Sequence, residues 1–368
     1  MTGLEPELKP VGEITPKRAS FIRAPSIGRI LGALIGLVLV VVFLGITEPT
    51  FLSWGNIMNI FRAQSITFIL AIGMTFVILT GGLDLSVASA TGFAGMVLGF
   101  CIKAGIPAVP AMLITVATGA GLGLINGFLI GIARISFFVV TLATLSIYAS
   151  VILVLTRGST ISLFQFESFN PIAHIANQDI GPFPIILLVI VALYMIGWFV
   201  LHQTAFGRAV YATGSNAEAA RLNGLNVPLT LMLVYTIAGL MCGLGAIQQD
   251  GRLTAAVPTT DPNQMLAVIA AVLIGGMSLR GGEGGLLGTF LGCLFLGVIQ
   301  NGLTLKQVSA FWQGTVTGAI LLIAVSLAVL RDTGAGAKLL KALRRKKPSD
   351  IPNSPEGPTP DTPAKPET

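Results

Sequence analysis

The sequence predicts an all-α, polytopic membrane helix bundle of about ten transmembrane helices, with both termini on the cytoplasmic side. Three observations carry that prediction. Of the 368 residues, 53% are hydrophobic and only 10% are charged, against roughly 25% charged in an ordinary soluble domain. Uncharged runs near the ~20 residues needed to cross ~30 Å of hydrocarbon recur along most of the chain. Of the 22 Lys and Arg, five precede residue 30 and eight follow residue 330, so the net charge of +6 belongs mainly to two tails. That is a positive-inside bias and not a nucleic-acid surface.

Unpaired backbone groups cannot face lipid, so each apolar run is read as a helix. The first, 29–47, begins at Arg29 and follows a basic cytoplasmic arm, residues 1–28, with Lys17, Arg18 and Arg23. The arm's length and the lack of a small-residue cleavage site after Ile46 argue against a secretory signal. Spans 65–80 and 85–104 flank residues 81–84 and read equally well as one broken helix. Spans 108–133, 135–156, 183–201 and 228–249 follow. The first and last of these carry the runs "GAGLGLINGFLIG" and "GLMCGLGA", where glycine lets helix backbones approach closely. The last spans are 264–279, 285–303 and 309–330, closing a transmembrane domain over 29–331. Residues 332–368, rich in Pro, Ser, Thr and charge, offer nothing to bury and read as a disordered cytoplasmic tail.

Alternating sides from a cytoplasmic N-terminus puts the 202–227 loop, with Arg208 and Arg221, inside. The loops 157–182 and 250–263, poor in Lys and Arg, fall outside. Two stretches echo each other: "VILTGGLDLS" (77–86) and "AVLIGGMSLR" (271–280) each hold an apolar run, a Gly-Gly pair and a Leu three positions on. Repeats of this kind occur in transporters, and Gly-rich helices also match by chance.

No catalytic grouping is visible. Cys101, Cys242 and Cys293 lie within apolar runs and read as small buried hydrophobes; His174 and His202 do not suggest a zinc site. No metal site is expected. No Gly-Lys dipeptide occurs in the chain, so it carries no ordinary phosphate-cradling P-loop. The chain is therefore expected to be no enzyme, and any ATP and Mg would sit on another subunit.

One polar stretch stands out, "GSNAEAARLNGLN" (214–226). Ser215 followed by Glu218 fits a capping box. Asn216, Ala219, Ala220 and Arg221 continue a short helix of about 8 residues, and Gly224 supplies its stop. Such a helix suits either the bilayer interface or a groove on a partner. Asp84 is the one acid lodged between two apolar runs. With Gly81, Gly82 and Ser86 around it, it reads either as the cap of a helix break or as a member of a solute pathway. Asn126 and Asn301, each followed by Gly, read as interhelical glue or as pathway lining.

The stretch "YATGSNAEAARLNGLNV" resembles the cytoplasmic loop of permease subunits of bacterial ABC sugar importers, the ribose, xylose and autoinducer uptake family. Four further blocks are similar to the same family: "GMTFVILTGGLDLSVASATGFAG", "NGFLIGIARISFFVVTLATLSIYAS", "IAAVLIGGMSLRGGEGGLLGT" and "VIQNGLTLKQVSAFWQGTVTGAILLIAV". The likeness covers roughly residues 50 to 332. It implies a multi-pass inner-membrane permease, paired with a second permease copy, served by an ABC ATPase subunit and an extracytoplasmic sugar-binding protein. It also implies that Ser215, Asn216, Glu218, Ala219, Ala220 and Gly224 form a helix that docks on the ATPase, with Arg208 and Arg221 beside it. Two departures stand out: Phe137 and Phe138 where relatives carry proline and an apolar residue, and Met265, Leu266 and Ala267 where relatives carry acids. The second leaves the usual sugar in doubt as cargo. The competing expectation is an ion- or proton-driven carrier of small polar solutes, for which the sequence offers almost no mid-membrane ionisable groups.

Overall fold

Five of the described helices open where a short polar side chain accepts an otherwise orphaned backbone N–H, three of them flanking long apolar runs. Ser53 accepts from Asn56 at 3.4 Å, Asn226 from Leu229 at 3.1 Å, and Asp261 from Asn263 at 2.9 Å. The last two are followed by Pro228 and Pro262 in the first turn, where a missing N–H costs nothing. The computed structural model describes residues 27–332 apart from residue 260. The basic arm through residue 26 and the Pro-rich tail from residue 333 lie outside the described residues.

In chain order the helices are α1 (Ile27–Thr47), α2 (Trp54–Leu79), α3 (Val87–Lys103), α4 (Ala108–Gly131), α5 (Phe137–Thr156), α6 (Asn170–Asn177) and α7 (Ile185–Gln203). They continue as α8 (Ala205–Ser215), α9 (Ala217–Leu222), α10 (Val227–Leu253), α11 (Pro262–Ile274), α12 (Leu286–Leu305) and α13 (Ala310–Asp332). A 3-10 turn (Glu167–Phe169) and four two-residue strands complete the described structure: β1 (Ile161–Ser162), β2 (Asp179–Ile180), β3 (Phe183–Pro184) and β4 (Ala255–Ala256). β1 pairs antiparallel with β4, Ile161 opposite Ala256, and β2 forms a hairpin with β3. Every apolar run read as a span coincides with a helix. Seven of these helices are long and apolar enough to cross a bilayer, and three are shorter apolar helices. The protein is a multi-pass membrane protein.

Helix α2 is the central post. It begins about ten residues before the expected start at 65, because its polar residues find partners instead of forming a loop. Nearly every residue from Gln64 to Leu79 is buried, as expected of a helix that is apolar all round and enclosed by others. α7, α10, α11 and α12 surround it. The outer helices keep apolar side chains exposed, among them Leu39, Leu113, Val154, Met195 and Leu322, where lipid tails would lie.

Because lipid gives helices no hydrophobic reason to associate, close packing must hold the bundle, and the tightest example joins the two glycine runs. A Cβ on Gly119 would stand 2.4 Å from the Gly239 carbonyl oxygen, one on Gly123 2.2 Å from that of Tyr235, and one on Gly243 2.7 Å from the Val116 Cα. α4 and α10 thus touch backbone to backbone over about three turns.

The bundle has two distinguishable ends. At one, β1 meets β4, Asn177 donates to the Gly251 carbonyl at 2.8 Å, Arg62 pairs with Asp179, and the Trp54 indole donates to Pro182 at 3.0 Å. The loops 157–182 and 250–263, assigned to one face from their charge, therefore do meet. At the other end, about 25 Å from Arg62 along α2 at 1.5 Å per residue, lie Leu79 and the α8–α9 segment.

Candidate functional site

The 202–227 loop is more structured than its sequence pattern indicated. Thr204 caps α8 by accepting from Gly207 N–H at 3.1 Å. α8 runs to Ser215, so Ser215 closes one helix instead of starting the next. The capping box is therefore corrected: Asn216 is the N-cap of α9, its side-chain oxygen accepting from Ala219 N–H at 2.9 Å. Glu218, freed from that role, pairs with Arg221 at 2.7 Å across one turn. α9 has 6 residues instead of about 8. Gly224 ends it as expected, with φ of +82°. Leu225 N–H donates to Ala220 at 3.1 Å and Gly224 N–H to Arg221 at 3.0 Å, the paired bonds of a Schellman stop. Ala220 is buried, while Arg208, Ala219, Arg221 and Leu222 are exposed, Leu222 by 78%. An exposed leucine on a capped peg is the kind of group a partner's groove takes up.

The peg is anchored to the two Gly-Gly breaks. α2 ends where Gly81 turns left-handed (φ +79°), Gly82 N–H donating back to Val77 at 3.1 Å. α11 ends in the same way at Gly276 (φ +90°), with Met277 N–H donating to Val272 at 3.4 Å. The echo between the segments is thus real as a helix stop, shifted by one residue: the left-handed position is the first glycine of one pair and the second of the other. The two stops meet directly. Gly282 N–H donates to the Leu79 carbonyl at 2.8 Å, and a Cβ on Gly81 would stand 3.2 Å from the Arg280 carbonyl oxygen. The end of α8 closes the junction, since a Cβ on Gly214 would fall 1.8 Å from the Leu79 oxygen and one on Gly282 2.8 Å from Ser215 N. Tyr211, on α8, donates to the Gly284 carbonyl at 2.9 Å, and burial pushes its phenol up to about 12, so the proton stays in that bond.

Asp84 lies in the break between α2 and α3, which are separate helices. It is buried, its Oδ1 accepting from Ser86 N–H at 2.9 Å and Ser86 Oγ–H at 2.6 Å. Asn126 donates to Ser86 Oγ at 2.9 Å, and the Tyr148 hydroxyl donates to Asn126 at 3.3 Å and to the Leu122 carbonyl at 3.0 Å. Asp84, Ser86 and Asn126 therefore form one buried network tying the break to α4 and α5. Asn301 is elsewhere: it exchanges two hydrogen bonds with Asn56, at 2.9 and 2.8 Å, binding α12 to α2.

The structure adds a feature that sequence reasoning missed. At the end opposite the peg, α2, α10, α11, α12 and α13 enclose an open cavity of about 600 Å³. Gln64, Gln249, Gln264, Gln300 and Gln313 reach its wall, one from each helix. Gln300 immediately precedes Asn301, about 100° around the helix from it: Asn301, read as interhelical glue or pathway lining, joins two helices through Asn56, while its neighbour lines the cavity. The available signal was several glutamines inside or at the ends of apolar spans.

The chain has been compared with known proteins. The family described as a branched-chain amino acid transport system / permease component matches residues 56–325. The ribose import permease protein of Bacillus subtilis (strain 168) is 38% identical over 301 residues, covering 81% of this chain and 92% of the relative. The D-allose transport system permease protein of Escherichia coli (strain K12) is 34% identical, covering 79% and 88% of the two chains, and the xylose transport system permease protein of the same strain is 32% identical, covering 76% and 86%. No solved structure matches at significance. Taken with a glycine-packed helix bundle and a capped peg at one end, these likenesses place the chain: it belongs to this permease family, beside the ribose-, allose- and xylose-type permease subunits of bacterial ABC transporters.

Proposed function

We propose that this chain is the membrane-embedded permease subunit of an ATP-driven importer that brings a sugar or sugar-like polyol into the cytoplasm. In this reading all ten apolar helices cross or enter the inner membrane, both termini and the α8–α9 peg face the cytoplasm, and a second permease copy completes the pathway. A separate ABC ATPase subunit binds ATP and Mg and receives the peg, while an extracytoplasmic binding protein delivers the cargo at the opposite end.

The observation that carries the reading is the seating of the peg. Short α9 alone could not transmit force, but α8 presses backbone against the α2 stop at Leu79 and against Gly282, in the loop that follows the α11 stop. Displacing the peg would therefore shift α2 and α11 together, which is the rigid-body input that an alternating-access bundle requires. The exposed side chains Arg208, Ala219 and Leu222, with the exposed Arg221–Glu218 pair, are open to the partner.

The test is copurification with the ABC ATPase and cargo uptake in proteoliposomes. Ala219→Trp combined with Glu218→Lys should abolish both ATPase capture and ATP-dependent uptake while leaving the chain folded. Retention of both, or labelling of an Ala219→Cys variant by an impermeant reagent from the outer side only, overturns the docking role. Uptake by the chain alone driven by a proton gradient would favour an ion-coupled carrier instead.

A further inference from the structure

One stripe of α7 changes from apolar to polar at the depth where a lipid does. Val191, Met195, Trp198 and His202 follow one another at three- and four-residue spacing on one face of the helix. From Val191 to His202 the stripe covers about 16 Å at 1.5 Å per residue, one leaflet's share of a ~30 Å hydrocarbon core. Beside its apolar part, α7 and α12 leave a groove of about 290 Å³. The floor is closed: Leu286 is buried, and the Tyr194 hydroxyl turns inward to the Phe68 carbonyl at 3.2 Å. The rim is open, with Val191, Met195, Trp198 and Leu287 exposed.

At the polar end, aromatic rings lead from α7 to the peg. His202 Nδ1 lies 3.0 Å from the Trp198 carbonyl, and its ring stacks on the indole with centroids 5.3 Å apart and 24° between planes. The Tyr211 ring of α8 stands 6.3 Å from the imidazole. Arg208, one turn before Tyr211, is exposed, and its guanidinium has no partner among the described residues. The one acid of the 202–227 loop, Glu218, is paired with Arg221, and Glu283, next to the Gly284 acceptor of Tyr211, is engaged as well. A planar, permanently charged guanidinium suits a phosphate group.

We propose that the α7–α12 groove, with Arg208 at its mouth, binds one anionic phospholipid. An acyl chain lies along Val191, Met195 and Trp198, and the headgroup phosphate sits at Arg208. A net negative headgroup gains the full attraction of that arginine, whereas a zwitterionic one gives part of it back through its own cation. A soluble anion would leave the groove empty. A packed helix would need a seam through both leaflets, and the groove's lining on α7 stops at Val191. The proposal rests on the importer reading only for the name of the leaflet, the inner one, where the lipid would brace the root of the peg.

The test uses the whole chain in phosphatidylcholine vesicles, with Trp54→Phe and Trp312→Phe leaving Trp198 as its only tryptophan. A small, equal fraction of the lipid is replaced by dibrominated phosphatidylglycerol or dibrominated phosphatidylcholine, whose bromines quench an indole on contact. The glycerol lipid should quench Trp198 several-fold more. Arg208→Gln should bring the two lipids level, while Arg221→Gln in the same loop should leave the preference in place; an unchanged thermal midpoint shows each variant folded. Equal quenching in the parent chain, a preference that survives Arg208→Gln, or one lost equally in both arginine variants would overturn the assignment. So would a preference abolished by inorganic phosphate but not by sodium chloride of equal ionic strength, the mark of a free-phosphate site. A Trp198 shielded from both lipids would mean cover by a second copy and would overturn it too. Both leaflets carry the probe, and neither ATPase nor cargo is present, so this test and the docking test fail independently.

Discussion

Gly282 donates its N–H to the carbonyl oxygen of Leu79 at 2.8 Å, a single bond by which the stop after α11 is tied to the stop of α2. Gly214 packs onto the same oxygen from α8. Three chain segments far apart in sequence share one carbonyl.

The first prediction concerns that junction. A Gly214→Val side chain would begin 1.8 Å from the Leu79 oxygen and 2.6 Å from Gly282 N. Overpacking of this kind costs roughly 1–3 kcal/mol, visible as a lower unfolding midpoint in detergent. Gly224→Ala is the control: no atom lies within 4 Å of its built Cβ, so only the left-handed backbone is penalised, at roughly 1–2 kcal/mol, and the junction stays intact. A Gly214→Val chain that unfolds at the wild-type midpoint would remove the packing argument.

A second prediction separates stability from coupling. The Glu218–Arg221 pair is more than half exposed, and such pairs contribute about 0–1 kcal/mol. Arg221→Ala should leave the unfolding midpoint almost unchanged while weakening ATPase capture. A large stability loss would mean that the pair shapes α9 itself.

The buried network gives a third. Asn126→Leu removes the donor to Ser86 Oγ and one of two acceptors of the Tyr148 hydroxyl, which keeps the Leu122 carbonyl; two buried hydrogen bonds at about 0.5–1.5 kcal/mol each make the loss about 1–3 kcal/mol. Tyr148→Phe should cost less, about 0.5–1.5 kcal/mol, because Asn126 keeps its bond to Ser86. Chemical unfolding of both variants in the same detergent gives the order, and the reverse order would contradict the hydrogen-bond pattern.

The fourth uses a double-mutant cycle on Asn56 and Asn301. Asn56→Leu strands the Asn301 amide and Asn301→Leu strands the Asn56 oxygen, its nitrogen keeping the Phe51 carbonyl, while the double change leaves neither amide in place. A coupling energy near the ~0.6 kcal/mol typical of interhelical hydrogen bonds in membranes is expected. Additivity within error would show that the reciprocal pair contributes nothing.

The apolar helices were legible because their signal is one-dimensional: a run either lacks charge or does not, and all ten runs are helical, seven of them long enough to cross a bilayer. Close helix packing at the two glycine runs was legible for a similar reason, since glycines at helical spacing permit close approach, but that α4 and α10 meet each other was not, because neither run names its partner. The cap of α9 was misread because Ser215 and Asn216 are both good caps, and only the length of α8 decides between them. The cavity was invisible because Gln64, Gln249, Gln264, Gln300 and Gln313 are scattered over 250 positions, and a lone glutamine in an apolar helix carries no rotational sign. Asn301 looked the better candidate and turned out to face Asn56.

The glycine seam between α4 and α10 restricts how such a bundle can open. Carbonyl oxygens seated in the gaps left by missing side chains act like the teeth of a rack, so neither helix can slide along the other without collision. Any working stroke must carry that pair as a single block, and the give in the machine has to be found around it.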